Sequence, residues 1–162
     1  MAVHRASRVM VSALVVLSGA LAAGSAFGDK GSGAKAPVAV AEVTSQASSA
    51  RLENVADLVR KDLQSELESL DWSKTRTRRR YLISATVVEL GSAPAGPRSS
   101  LSSCVVSATV RDGERGNVLA ILQGKARAED TTSVASSTER AVLAAAVRSA
   151  VAKVPEAIAA YQ

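Results

Sequence analysis

Fifteen uncharged and largely apolar residues, Val9–Ala23 (VMVSALVVLSGALAA), follow two arginines and precede the small residues Gly24, Ser25 and Ala26. A charged start, an apolar middle and a small-residue exit are the order of a secretory signal peptide. A helix crossing ~30 Å of hydrocarbon needs about 20 residues, so the run is short for a membrane span. Residues 1–28 are therefore expected to be cleaved after Ala26 or Gly28, with retention as a signal anchor the alternative. Cleavage removes the chain's one histidine, His4, and leaves 134 residues. That length supports one modest core but not two.

The charge changes with it. Arg5 and Arg8 leave with the signal, so 18 cations face 15 acids and the net charge falls from +5 to +3. Such a balance favours weak attraction to anionic surfaces and argues against an intracellular nucleic-acid binder. Only Trp72, Tyr81 and Tyr161 remain as aromatic rings, too few for a stacking platform along a single strand or a sugar chain. The one cysteine, Cys104, cannot close an internal disulfide, so packing alone must hold the domain. It lies in an alternating run with Val106, Ala108 and Val110, which reads as a buried thiol; a bridge between two chains is the alternative.

Residues 29–36 (DKGSGAKA) are polar and glycine-rich, a flexible leader ahead of a single α+β domain over 37–162. Val38–Val43 reads as a short strand. Ser48–Leu70 reads as a helix: Leu52, Val55, Val59, Leu63, Leu67 and Leu70 fall on one stripe of a 3.6-residue period. Strands are expected over Arg80–Leu90, Ser102–Arg111 and Val118–Ala128, with Gly91–Ser100 a long solvated loop and the Asp112–Asn117 segment a tight hairpin turn. A last helix carries Leu143, Val147, Ala150, Val151 and Val154 inward. A capping box of Ser136 and Glu139 opens it, and Pro155 interrupts it. The expected architecture is a two-layer α+β sandwich in β-α-β-β-β-α order, with a mostly antiparallel sheet and two helices on one face.

The usual catalytic sets are missing after cleavage. Ser-His-Asp and Cys-His chemistry needs an imidazole base, and the common zinc sites need histidines or several cysteines. Ser32–Lys35 matches S-x-x-K but sits in the leader without partner motifs. The glycine-rich run from Gly28 has Ala34 where a phosphate-binding loop needs lysine. No catalytic residue, metal site or cofactor is expected. One surface feature stands out: Lys74, Arg76, Arg78, Arg79 and Arg80 lie within seven residues, flanked by Trp72 and Tyr81. Arginine's flat fork suits phosphate and carboxylate, and Trp72 is positioned in sequence to stack. The alternative is a solvated connector whose cations offset the acidic end of the first helix.

The strand YLISATVVELG, the run SSCVVSATVRDGERGNVLAILQGKARAED and the helix SSTERAVLAAAVRSAVAKV resemble a bacterial envelope pattern. The chain is similar in element order, over Val38–Val154, to periplasmic domains of the curli-secretion-lipoprotein, penicillin-binding-protein-activator and TolB-amino-terminal type. Asp112, Gly116 and the alanine-rich last helix carry the residue-level match, and the chain departs from the lipoprotein members by lacking a lipobox cysteine. The resemblance implies an envelope accessory role without catalysis. The expected function is thus an exported, periplasmic or extracellular, non-enzymatic protein that binds an envelope protein or an anionic envelope polymer through Trp72, Lys74, Arg76, Arg78, Arg79 and Arg80. Two alternatives are a structural subunit that assembles through a sheet edge or helix stripe, and a carboxylate hydrolase using Glu89, Glu129 or Asp130. Oligomeric state is left open by the sequence, and no membrane span is expected in the mature chain.

Overall fold

The computed structural model describes residues 36–47, 52–73, 75, 79–130 and 135–161. The expected signal peptide and leader up to residue 35, residues 48–51 and Lys74, Arg76 and Arg78 lie outside the described residues. The elements are β1 (Val38–Ser45), α1 (Val55–Ser69), β2 (Tyr81–Gly96), β3 (Ser99–Asp112), β4 (Val118–Asp130), α2 (Ala135–Val151) and α3 (Val154–Ala159). They form the expected α+β order, with one short helix added at the end.

The sheet runs β1-β2-β3-β4. β1 is parallel to β2, and the other two pairs are antiparallel. A parallel pair needs a long crossover, which α1 supplies, whereas tight turns suffice for the meander β2-β3-β4. α1 packs on β1 and α2, and α2 packs on β2, β3 and β4, so both long helices cover one face.

Period-two patterning decides which side chains face the helices. Along β3, Ser102, Cys104, Val106, Ala108, Val110 and Asp112 are buried while their neighbours face out. From the helices, Val59, Leu63, Leu143, Val147 and Val151 meet them, all fully buried. Gly124 of β4 is buried where α2 crosses: a Cβ there would collide with the carbonyl oxygen of Ala146 and come within 2.7 Å of the Ala150 nitrogen. Among the described residues, ion pairs fasten α2 to α1. Arg140 grips Asp62 through both oxygens at 2.6 Å, and Arg148 Nε donates to Glu66 at 2.9 Å.

Three expectations are corrected. The first helix begins at Val55 rather than Ser48, because Asn54 adopts the left-handed conformation (φ 53°) that breaks the helical run. Leu52 still packs against the core, but ahead of the helix. The segment over 91–100 is not a solvated loop. β2 continues to Gly96 and pairs with β3 down to Gly96↔Ser99, leaving only Pro97 and Arg98 as the turn. Small polar residues there satisfy the ladder without a hydrophobic signature, with a register break between Pro94 and Gly96. Finally, α2 begins at Ala135, ahead of Ser136, and Glu139 is buried. Its carboxylate accepts a hydrogen bond from Ser92 Oγ (2.8 Å), which leaves Ser102 Oγ to donate to Ser92 at 2.6 Å. The glutamate thus ties the helix start to β2 and β3.

Pro155 acts as expected: α2 ends at Val151, and α3 starts with the proline in its first turn, where a missing N–H costs nothing. No described helix is long and apolar enough to cross a membrane.

Candidate functional site

The basic connector enters the sheet at the start of β2. Tyr81 N donates to the Pro37 carbonyl (2.9 Å), so the first and second strands begin side by side. The β3-β4 turn closes over the same end. Its geometry follows from Asp112-Gly113-Glu114-Arg115-Gly116-Asn117: Asp112 N donates to the Asn117 carbonyl (2.9 Å) and Gly116 N to the Asp112 carbonyl (2.9 Å). Gly116 takes φ 71°, a conformation open to glycine at no steric cost. Asp112 Oδ1 accepts from the backbone of Glu114 (2.8 Å) and Arg115 (2.9 Å). Those two donors, Arg115 first, hold its carboxyl below the usual aspartate range, and the charges of Arg79 and Arg115 add to the effect.

One contact joins the two segments: Gly113 N donates to the Arg80 carbonyl at 2.8 Å. A Cβ at Gly113 would sit 2.7 Å from that oxygen, so the close approach requires glycine. The result is a cleft of about 560 Å³ lined by Arg79, Tyr81, Asp112, Arg115, Asn117, Val118, Leu119 and Tyr161. Tyr81 is buried, whereas Tyr161 is 56% exposed. Arg79 and Arg115 bring two guanidinium groups to a cleft that also holds the Asp112 carboxylate, and charge-assisted hydrogen bonds from arginine to a carboxylate or phosphate are the strong kind.

The expected site residues divide. Arg79 and Arg80 are exposed at this end, while Lys74, Arg76 and Arg78 lie outside the described residues. Trp72 requires a correction. Its ring is buried (8% exposed) and its indole N–H donates to the Leu67 carbonyl at 2.9 Å, so it caps the end of α1 and is not offered for stacking. Its apolar ring is worth more in the core, and its single donor serves a carbonyl that the helix end leaves unpaired. Arg115, Asn117 and Tyr161 were not legible as site residues. They sit in segments whose sequence signals only a turn and a chain end.

The acids of the hydrolase alternative are occupied elsewhere or exposed. Glu89 accepts from Ser103 Oγ (2.8 Å), Asp130 accepts from Thr138 Oγ1 (2.7 Å), and Glu129 is exposed on β4. Among the described residues, no group of three or more His, Cys, Asp or Glu side chains could hold a metal ion.

No protein-family model matches the chain, and no curated protein matches it by sequence. Solved structures do resemble it. The hypothetical protein CT253 from Chlamydia trachomatis superposes with a TM-score of 0.52 at 14% identity, over 76% of this chain and 97% of its own. A candidate lipoprotein from Caulobacter crescentus has a TM-score of 0.47 at 11% identity, over 78% and 90%. The PelC dodecamer from Paraburkholderia phytofirmans gives 0.45 at 17% identity, over 68% and 85%. At these identities the likeness is one of fold: the chain carries an α+β sandwich domain also found in the chlamydial protein.

Proposed function

We propose that this chain is an exported, non-enzymatic envelope protein, an accessory domain that binds an anionic envelope polymer or a partner protein. The binding surface is the end of the sheet bearing Arg79, Arg80 and Arg115, and Lys74, Arg76 and Arg78 precede Arg79 in the same basic run of the sequence. The observation that carries this reading is the Gly113–Arg80 hydrogen bond (2.8 Å), which pins the basic connector against Arg115 and the tyrosine-lined cleft. The order of signal peptide, leader and α+β domain, and the element order shared with the periplasmic domains named above, support export and an accessory role.

The test is retention of the exported protein on purified cell wall. Replacing Arg79, Arg80 and Arg115 by glutamate should lower retention at least about tenfold, since each reversal turns attraction into repulsion. Unchanged retention overturns the proposal. A second reading, a structural subunit, draws on β4, a 13-residue strand that among the described residues pairs with β3 alone, so its other edge carries no strand there. The opposite edge is blunted, because Arg60 of α1 donates to the Ala41 carbonyl of β1 at 3.2 Å. Sedimentation at two concentrations separates this reading from a monomeric binder.

A further inference from the structure

We infer that the arginine-bearing end of the sheet docks on an anionic lipid surface, with Leu82, Arg111, Val118 and Ile121 on the outer face as the contact. The inference rests on the proposed anion-binding reading and names its ligand.

The sheet register makes these four residues neighbours. Leu82 of β2 is opposite Arg111 of β3, and Arg111 is opposite Val118 of β4. Ile121 is opposite Thr109, two residues along β3 and on the same face as Arg111. Adjacent strands lie about 4.8 Å apart, so the four side chains make one patch. It is apolar and open to solvent: Leu82 is 37% exposed, Val118 50% and Ile121 68%. Among the described residues, the other large apolar side chains this exposed are Val88, Leu101 and Tyr161, and Tyr161 also lies at this end, lining the cleft with Val118.

Charge surrounds the patch. Arg111 lies inside it, Arg79 and Arg115 line the cleft that Val118 also lines, and Arg80 is exposed at the same end. The acids of the β3-β4 turn are Glu114 and Asp112, and Asp112 is turned into its own backbone. A purely ionic ligand such as a wall polymer makes no use of exposed isoleucine, valine and leucine. A leaflet of anionic lipid uses both: the arginines meet headgroup phosphates, and the apolar side chains enter the acyl boundary. Each arginine near such a surface is worth about fivefold in partitioning, and tyrosine suits the same interfacial depth.

The experiment is co-sedimentation of the exported protein with vesicles of phosphatidylglycerol and phosphatidylcholine, with vesicles of phosphatidylcholine alone, and with purified peptidoglycan. Binding to the anionic vesicles is expected, at least about tenfold above the neutral ones. The double variant Leu82→Ser/Ile121→Ser, at two patch residues outside the cleft, should lose about tenfold on anionic vesicles and keep any binding to peptidoglycan. Arg111→Glu provides a second variant at an exposed position, with circular dichroism confirming that both fold. Binding to peptidoglycan without binding to anionic vesicles overturns the lipid assignment and leaves the proposed function standing. Binding to neither overturns the inference together with the anionic-polymer branch of the proposed function. Lipid-independent self-association that the double variant abolishes assigns the patch to a second copy of the chain and overturns the inference.

Discussion

Gly124 of β4 lies directly beneath Ala146 of α2, with no room for even one carbon atom between the strand and the helix backbone. Glycine and alanine at this crossing let α2 settle onto the sheet, which in turn buries Val142, Leu143 and Val147. A methyl group at Gly124 meets backbone atoms, which cannot rotate away as a side chain would. Gly124→Ala should therefore destabilise the domain by about 1–3 kcal/mol, the usual cost of overpacking. Chemical denaturation with an unchanged m-value checks it. A stability equal to wild type means the helix lies farther from the strand than the structure shows.

The pair Asp62–Arg140 joins α1 to α2 with both oxygens engaged at 2.6 Å, and the Arg140 guanidinium is held further toward its charged form by that bond. Asp62 is 16% and Arg140 36% exposed at the side chain, so solvent screens part of the attraction. A double-mutant cycle with Asp62→Asn and Arg140→Gln should give a coupling of about 1 kcal/mol, at the upper end for partly exposed pairs because the geometry is bidentate. It should shrink in about 1 M salt.

Acid should weaken the β3-β4 turn. The Asp112 carboxyl sits below its ordinary range in the folded protein because it accepts two backbone hydrogen bonds. A depressed folded-state pKa contributes stability that is complete above the unfolded-state value of about 3.9 and is lost as pH falls through the folded-state value. Asp112→Ala should thus be less stable than wild type near pH 7, with the gap closing below about pH 4. Melting temperatures of both proteins across that range test it. A gap that stays constant removes the carboxylate from the explanation.

Cys104 should be chemically silent in the native protein. Its thiol is 1% exposed, and burial first, then the charge of Glu89, pushes its pKa up to about 11. At pH 8 the thiolate is on the order of a thousandth of the total. A thiol reagent should react at least about a hundredfold faster in denaturant than in buffer. The protein should also run as a single monomer band without reductant. A disulfide-linked dimer formed by native protein contradicts the burial.

Much of the fold was legible. The stripe Val55, Val59, Leu63 and Leu67 lies buried along α1, and the alternation of Cys104, Val106, Ala108 and Val110 is the inner face of β3. What escaped had no hydrophobic period to reveal it. The 91–100 segment pairs as strand through backbone bonds that serine, alanine and glycine leave unmarked. The candidate site was half visible. The cluster containing Arg79 and Arg80 is plain in the sequence, but Trp72 turned inward and Arg115 and Tyr161 arrived from elsewhere in the chain.

The amino-acid sequence alone determined the order of the main elements, most of the faces they bury and the absence of an internal disulfide, because periodicity and residue chemistry are local. Tertiary structure decided the partners. It placed β1 parallel to β2 at the sheet edge, seated α2 on Gly124 and set Arg79 beside Arg115 and Tyr161 in one cleft. A local pattern states that a face must be buried, but many surfaces satisfy that demand equally. Register, close approach and the turn bonded to Arg80 select among them, and those contacts exist only once distant segments have met.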